Sequence, residues 1–187
     1  MEKYTTLYDV LIIGAGPSGS NAAISYKNLN PNLKVGLIDK SIFPRDKSCG
    51  DAIGPGVISA LKRFNNQHIL DNEPQVVSTT LYGPENIGIQ NYIPEVKNKE
   101  DSIVYVIPRI DLDNRILNLA KDLDVDVFEG YSFVSFEKDL DNKLVVEIKN
   151  GDNITKLGAK ILVGADGANS RVRKQLNVNT NSDWHKA

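Results

Sequence analysis

Residues 8–28 read YDVLIIGAGPSGSNAAISYKN, an apolar run and a glycine cluster leading into a helical pattern. A short continuous apolar run from Val10 to Ile13 meets a glycine cluster, after which Ala22, Ala23, Tyr26 and Leu29 recur at near-helical spacing. That order predicts a buried strand, a tight turn and a helix. The helix must end before Pro31, and Leu33-Lys34-Val35-Gly36-Leu37-Ile38-Asp39 supplies a second strand. Such strand–helix–strand units form parallel, right-handed crossovers.

The turn carries Gly14-x-Gly16-x-x-Gly19, with Pro17 and Ser18 between the last two glycines. Gly14 permits the tight turn, Gly16 lets the backbone approach a pyrophosphate, and Gly19 lets the helix pack closely on the strand. The helix N-terminus then offers free N–H groups and a partial positive charge to phosphates. Asp39, followed by Lys40, ends the second strand 20 residues after Gly19 and is placed to accept from ribose hydroxyls. Its charge disfavours a 2′-phosphate, so a bound nucleotide should be FAD or NAD, not NADP. Spacing alone does not separate these two, and a bare strand-to-helix turn without ligand is the competing reading.

Residues 41–55 are rich in Gly, Pro, Asp and Lys and predict a long ordered loop, followed by a helix on Val57, Leu61 and Phe64. From Pro74 to Tyr105 short β-type segments separated by Gly, Pro and Asn predict an antiparallel insertion. Asp111 is placed to cap a helix through Leu112, Ile116 and Leu119. Strands follow near residues 126–129 and 131–136, then a hairpin (144–149 with 154–157) through Asn150-Gly151-Asp152, and a last strand Lys160 to Gly164. This strand runs into Ala165-Asp166-Gly167 and a short helix capped by Ser170. Four segments result: 1–73 with the βαβ unit and a loop, 74–107 as the β-rich insertion, 108–176 as the rest of the nucleotide-binding domain, and 177–187 as a polar tail.

The 187 residues are 41% hydrophobic and 25% charged with net charge -2, an ordinary globular composition without an electrostatic footprint for nucleic acid or an anionic membrane surface. Cys49 is the only cysteine, which excludes an internal disulfide and fits a reducing, cytoplasmic compartment. The apolar run at the start is too short for a membrane span, so no transmembrane segment is expected. His68 and His185 read as surface or capping residues, no His/Cys/carboxylate cluster has metal-ligand spacing, and no nucleophile elbow is present.

The segment Asp39 to Asp51, with Pro44-Arg45-Asp46-Lys47-Ser48-Cys49-Gly50, resembles the PRxKxCG stretch of the geranylgeranyl reductase family of FAD-dependent oxidoreductases, within the group shaped like p-hydroxybenzoate hydroxylase. Val106-Ile107-Pro108-Arg109-Ile110-Asp111-Leu112-Asp113 resembles that group's Arg-containing motif at the head of a helix, and Leu162 to Arg173 its Asp-Gly fingerprint. The resemblance implies a glutathione-reductase-like α/β FAD domain with a parallel sheet, a small antiparallel meander near Phe133 to Leu157, and the start of a β-rich substrate domain. It implies FAD contacts from Gly14, Gly16, Pro17, Ser18, Gly19, Asp39, Lys40, Arg45, Cys49, Gly50, Asp51, Arg109, Val134, Asp166 and Gly167. It further implies NAD(P)H or ferredoxin as electron donor and a small-molecule or isoprenoid lipid substrate reached by peripheral membrane contact.

Alternatives stand beside several of these positions. Arg45 and Lys47 can neutralise pyrophosphate charge or be solvated loop charges. Arg109 can face the flavin or form a surface salt bridge with Asp111 or Asp113. Asp166-Gly167 can support the pyrophosphate or simply make a turn. Cys49 sits in a polar loop; Lys47 and backbone N–H groups there favour its thiolate while Asp46 and Asp51 oppose it, and the resemblance sets it beside the isoalloxazine ring as the catalytic candidate.

Nothing after Arg173 resembles the further Gly-Asp motif and substrate sheet of that family. The chain is therefore expected to be an N-terminal portion that needs a C-terminal part or a partner subunit. The expected activity is flavin-dependent reduction of isoprenoid double bonds. An FAD-dependent monooxygenase using NAD(P)H and oxygen, or a dinucleotide-binding fragment without independent activity, are the alternatives.

Overall fold

The computed structural model describes residues 4–76, 78–85, 87–92 and 104–176, without the side chains of residues 91 and 92. The polar tail, with Trp184 and His185, lies outside them. In chain order the elements are β1 (Leu7–Ile13), α1 (Pro17–Leu29), β2 (Val35–Asp39), β3 (Ala52–Ile53), α2 (Pro55–Lys62), a 3-10 turn (Gln67–Leu70), β4 (Ser78–Tyr82) and β5 (Gly88–Tyr92). They continue with β6 (Tyr105–Val106), α3 (Arg109–Asp122), β7 (Asp126–Glu129), β8 (Ser132–Lys138), β9 (Leu144–Asn150), β10 (Asn153–Gly164) and α4 (Arg171–Gln175). The chain divides into two compact units, residues 1–43 with 116–187, and residues 44–115.

The first unit is built on a six-stranded sheet of order β7-β2-β1-β10-β9-β8. β7, β2, β1 and β10 run parallel, whereas β10, β9 and β8 form the antiparallel meander. The fold is thus the mixed α/β class with a parallel core expected from the sequence. Leu11, Ile12, Leu37 and Ile38 are fully enclosed, as strands covered on both faces require.

Several local readings differ from expectation. The buried face of α1 is Gly19, Ser20, Ala23, Ile24 and Lys27, while Leu29 is exposed. Lys27 fits because its Nζ donates to the carbonyls of Pro31 (2.8 Å) and Leu33 (3.3 Å), so its buried charge is solvated by the chain that leaves the helix. The expected hairpin arm and last strand are one 12-residue strand, β10. Its Gly158 and Ala159 pair with Val145 and Leu144 on one side and with Leu7 and Tyr8 on the other, so a single strand joins the antiparallel and parallel halves.

In α3, Asp111 is not the cap. The Pro108 carbonyl accepts from the amides of Asp111 and Leu112 (both 3.0 Å), so helical bonding begins earlier, and Asp111 is an exposed acid in the first turn. Asp51, far away in sequence, supplies the terminal acceptor: its Oδ1 takes the Arg109 amide at 3.2 Å.

In the second unit, β3 pairs antiparallel with β6, and β4 with β5. The two-residue β3 lies at the end of the stretch read as loop; its register, Ala52 with Val106 and Ile53 with Tyr105, brings the Cys49 loop beside the start of α3. Buried Ile58 and Leu61 form the packed face of α2, whereas the expected Val57 is exposed.

Candidate functional site

In the first unit the glycine turn, Asp39 and the Asp166-Gly167 motif meet at the carboxyl ends of β1, β2 and β10. Gly14 has φ +102°, and a Cβ there would lie 2.4 Å from the Ala165 carbonyl oxygen. A Cβ on Gly19 would lie 1.7 Å from the Gly14 carbonyl oxygen. The turn is therefore closed to side chains from both sides, and α1 starts directly against it. Gly16 is the N-cap of α1 with no side-chain cap, Pro17 follows, and no acid lies in the first turn. Uncapped N–H groups and an uncompensated dipole are what a phosphate-binding helix start needs. Ser18 is exposed there.

Asp39 braces this turn. Its Oδ2 accepts from the Ala15 amide and its Oδ1 from the Ser41 amide, both at 2.8 Å, while the Gly14 amide donates to the Ile38 carbonyl at 2.7 Å. Each carboxylate oxygen keeps a second lone pair for a ribose hydroxyl. Lys40 is exposed. Asp166 is turned toward α4: Oδ1 accepts from the Ser170 hydroxyl (2.5 Å) and Oδ2 from the Arg171 amide (2.6 Å). Its carboxylate thus holds the start of α4, while Gly167 beside it, at φ +83°, has nothing within 4 Å of its Cβ position. Val134 lies at the bulge of β8 and is half-exposed.

The second unit gathers Arg45, Cys49, Asp51, Arg109 and Asp113. Asp113 is completely enclosed, and Arg109 grips it with both ends of its fork, Nε to Oδ1 at 2.7 Å and one terminal nitrogen to Oδ2 at 2.8 Å. Arg45 approaches Asp113 Oδ2 at 3.4 Å. The surface bridge weighed for Arg109 is a buried one, and Arg45 is paired with a carboxylate instead of solvated. Asp113 is the residue that sequence reasoning undervalued; its only signal is the i,i+4 spacing from Arg109.

Cys49 is an exposed free thiol. Its pKa is lowered, first by the Asp51 amide, which hydrogen-bonds the sulfur, then by the Arg109 guanidinium. Asp51 was expected to oppose the thiolate; instead its carboxylate is spent on the Arg109 amide and its own N–H favours the charged sulfur. Asp51 holds φ +54°, the left-handed conformation that aims both groups, and Gly50 before it is unobstructed. Among the described residues no cluster of His, Cys and carboxylates could hold a metal ion.

A glycine cradle against a helix start, an acid ending the second strand and an Asp-Gly turn ending the last parallel strand define a dinucleotide-binding fold of the FAD-dependent oxidoreductase kind. Residues 7–186 match the FAD binding domain family, and the chain belongs to that family, which decides for FAD over NAD. It is 29% identical over 182 residues to menaquinone reductase of Mycolicibacterium smegmatis, covering 97% of this chain and 42% of the relative. It is 29% identical over 172 residues to geranylgeranyl diphosphate reductase of Rhodobacter capsulatus, covering 90% and 40%. The structure superposes on p-nitrophenol 4-monooxygenase of Pseudomonas putida with a TM-score of 0.80 at 18% identity, covering 92% of this chain and 44% of the other. The chain spans about two fifths of the length of these curated relatives.

Proposed function

We propose that the chain is the FAD-binding portion of an oxidoreductase that saturates carbon–carbon double bonds of isoprenoid chains. The observation that carries this reading is the Cys49 thiol held by the Asp51 amide and the Arg109 guanidinium in a loop of PRxKxCG type. Relatives named as menaquinone and geranylgeranyl diphosphate reductases support it.

FAD fits the cradle because Gly14 and Gly19 let α1 begin directly against the turn with its first N–H groups uncapped, and because Asp39 retains acceptor capacity. When bound, the flavin supplies a hydride from N5. Gly16, Pro17, Ser18 and Gly19 present the start of α1 to the pyrophosphate, Asp39 orients the ribose, and Lys40, Gly167 and Val134 line the nucleotide. The Cys49 Sγ–H gives a proton to the alkene carbon opposite the one that takes the hydride, so one C=C bond becomes two C–H bonds. The thiolate left behind is stabilised by the Asp51 amide and Arg109 and takes its proton back from water. A thiol whose pKa is drawn toward the working pH is matched to this task. The electrons come from NAD(P)H or ferredoxin, the lipid is reached by peripheral contact with a membrane, and a C-terminal part or partner subunit completes the substrate site.

The test is anaerobic incubation of the full-length protein, reduced with dithionite, with a polyprenyl lipid. Saturation seen by mass spectrometry supports the proposal. Oxygen-dependent NADPH consumption with hydroxylated product and no saturation would replace it by a monooxygenase. A Cys49→Ala protein with unaltered turnover would remove Cys49 from the chemistry.

A further inference from the structure

Cys49, Asp51 and Arg109 have roles in the proposed reduction and Asp113 has none, although it is the most enclosed carboxylate among the described residues of the second unit. Burying a carboxylate costs several kcal/mol unless charge and hydrogen bonds surround it. Here both oxygens are taken by the Arg109 fork, and Arg45 comes to the same Oδ2. These arginines enter from different places. Arg109 begins α3, four residues before Asp113, whereas Arg45 lies in the loop that carries Cys49. One buried carboxylate thus fixes both the guanidinium that reaches the sulfur and the chain segment that carries it. A fork held at both ends cannot rotate freely, unlike an arginine in solvent.

We propose that Asp113 is a positioning residue for Cys49: by gripping Arg109 and Arg45 it holds the guanidinium at the sulfur, where the charge left by proton transfer falls. This deepens the proposed function and rests on its assignment of Cys49. The charged groups around the thiol are Arg45, Asp46, Lys47 and Asp51 on its own loop, and Arg109 and Asp113 on α3. Of these, Arg109 is the side chain that hydrogen-bonds the sulfur. Loss of Asp113 would remove a negative charge from the neighbourhood, which alone favours the thiolate, and would also release Arg109, which disfavours it. The second effect wins, because Arg109 acts by direct contact.

The experiment is the pH profile of Cys49 alkylation by iodoacetamide in the 187-residue chain, with a cooperative melt confirming that each variant is folded. Asp113→Asn should move the midpoint upward and slow alkylation at pH 7 by about threefold or more. Asp113→Glu should restore most of the rate. In an Arg109→Ala background, Asp113→Asn should change nothing further. An unmoved or lowered midpoint in Asp113→Asn, or an equal shift with and without Arg109, overturns the proposal. If Asp113→Asn does not fold, Arg109→Lys serves instead: it keeps the charge but not the fork, so its midpoint should rise, and an unchanged midpoint is a refutation. The profile needs neither FAD nor lipid, so its failure is separate from failure of the reductase reading, which the saturation assay reports.

Discussion

Gly19→Ala sets local propensity against packing at one atom. In a helix interior alanine is favoured over glycine by about 0.5–1 kcal/mol, so propensity alone predicts a stabilised α1. The new Cβ would, however, lie 1.7 Å from the Gly14 carbonyl oxygen, about half an ordinary contact distance. The obstacle is backbone, and it cannot swing away: the Gly14 amide is bonded to Ile38 at 2.7 Å, and the residue stands at φ +102° against Ala165. Overpacking of this kind costs about 1–3 kcal/mol, and a rigid backbone obstacle belongs at the upper end. The net expectation is a loss of about 2 kcal/mol, or a melting temperature about 4–8 °C lower for a chain of this size. The displaced atoms belong to the phosphate cradle, so FAD affinity, read from quenching of flavin fluorescence, should fall about tenfold or more. Gly56→Ala is the control: it lies in α2 with nothing within 4 Å of its Cβ position, so it should leave stability unchanged or raise it by up to about 1 kcal/mol. A Gly19→Ala chain that melts at or above the parent temperature and binds FAD normally would refute the close approach of α1 to the turn.

Asp39→Asn keeps one acceptor but turns an NH2 toward either the Ala15 or the Ser41 amide; it should cost about 1–2 kcal/mol in denaturant titration and weaken FAD in the same quenching assay. Arg109→Gln leaves the buried Asp113 short of its main partner and should destabilise by about 3–5 kcal/mol, seen as a large drop in melting temperature. Tyr8 is raised above the ordinary tyrosine range by burial, then by its hydrogen bond and proximity to Asp126, so the unfolded chain ionises first as pH rises. Its contribution is full below about pH 10 and declines above it, and Tyr8→Phe should flatten that alkaline decline in pH-dependent melts. Ser170→Ala removes the acceptor of the Arg173 amide and a donor to Asp166, and should lower stability by about 1 kcal/mol.

The parts of the fold that were legible in the sequence are those fixed by short-range sterics. Gly14 and Gly19 could be placed because a Cβ at either would meet a backbone carbonyl at a distance no side chain tolerates, and an acid at the end of the second strand follows from the same local grammar. Helix phase was less legible. The run after Gly19 offers two faces of similar hydrophobicity, and the choice fell to Ile24 with a lysine whose ammonium finds carbonyls only after the chain turns at Pro31. The continuity of β10 was hidden for a related reason: a strand with different neighbours on its two edges carries two patterns of exposure, and it reads as two strands.

The thiol site shows why an inventory of charges misjudges a loop. Counted along the chain, Asp46 and Asp51 weigh against a thiolate at Cys49. In the folded unit Asp51 takes the left-handed conformation, which sends its carboxylate to the start of α3 and its N–H to the sulfur, so one residue changes sign. Arg109 then reaches the sulfur from a side chain that donates twice to Asp113 and a backbone amide that donates to Asp51, two carboxylates that sequence reading had set down as surface or opposing charge. What decides the chemistry of Cys49 is therefore the direction of two carboxylates. Direction depends on backbone torsions and on pairing across 58 residues between Asp51 and Arg109, and neither is written in composition or spacing.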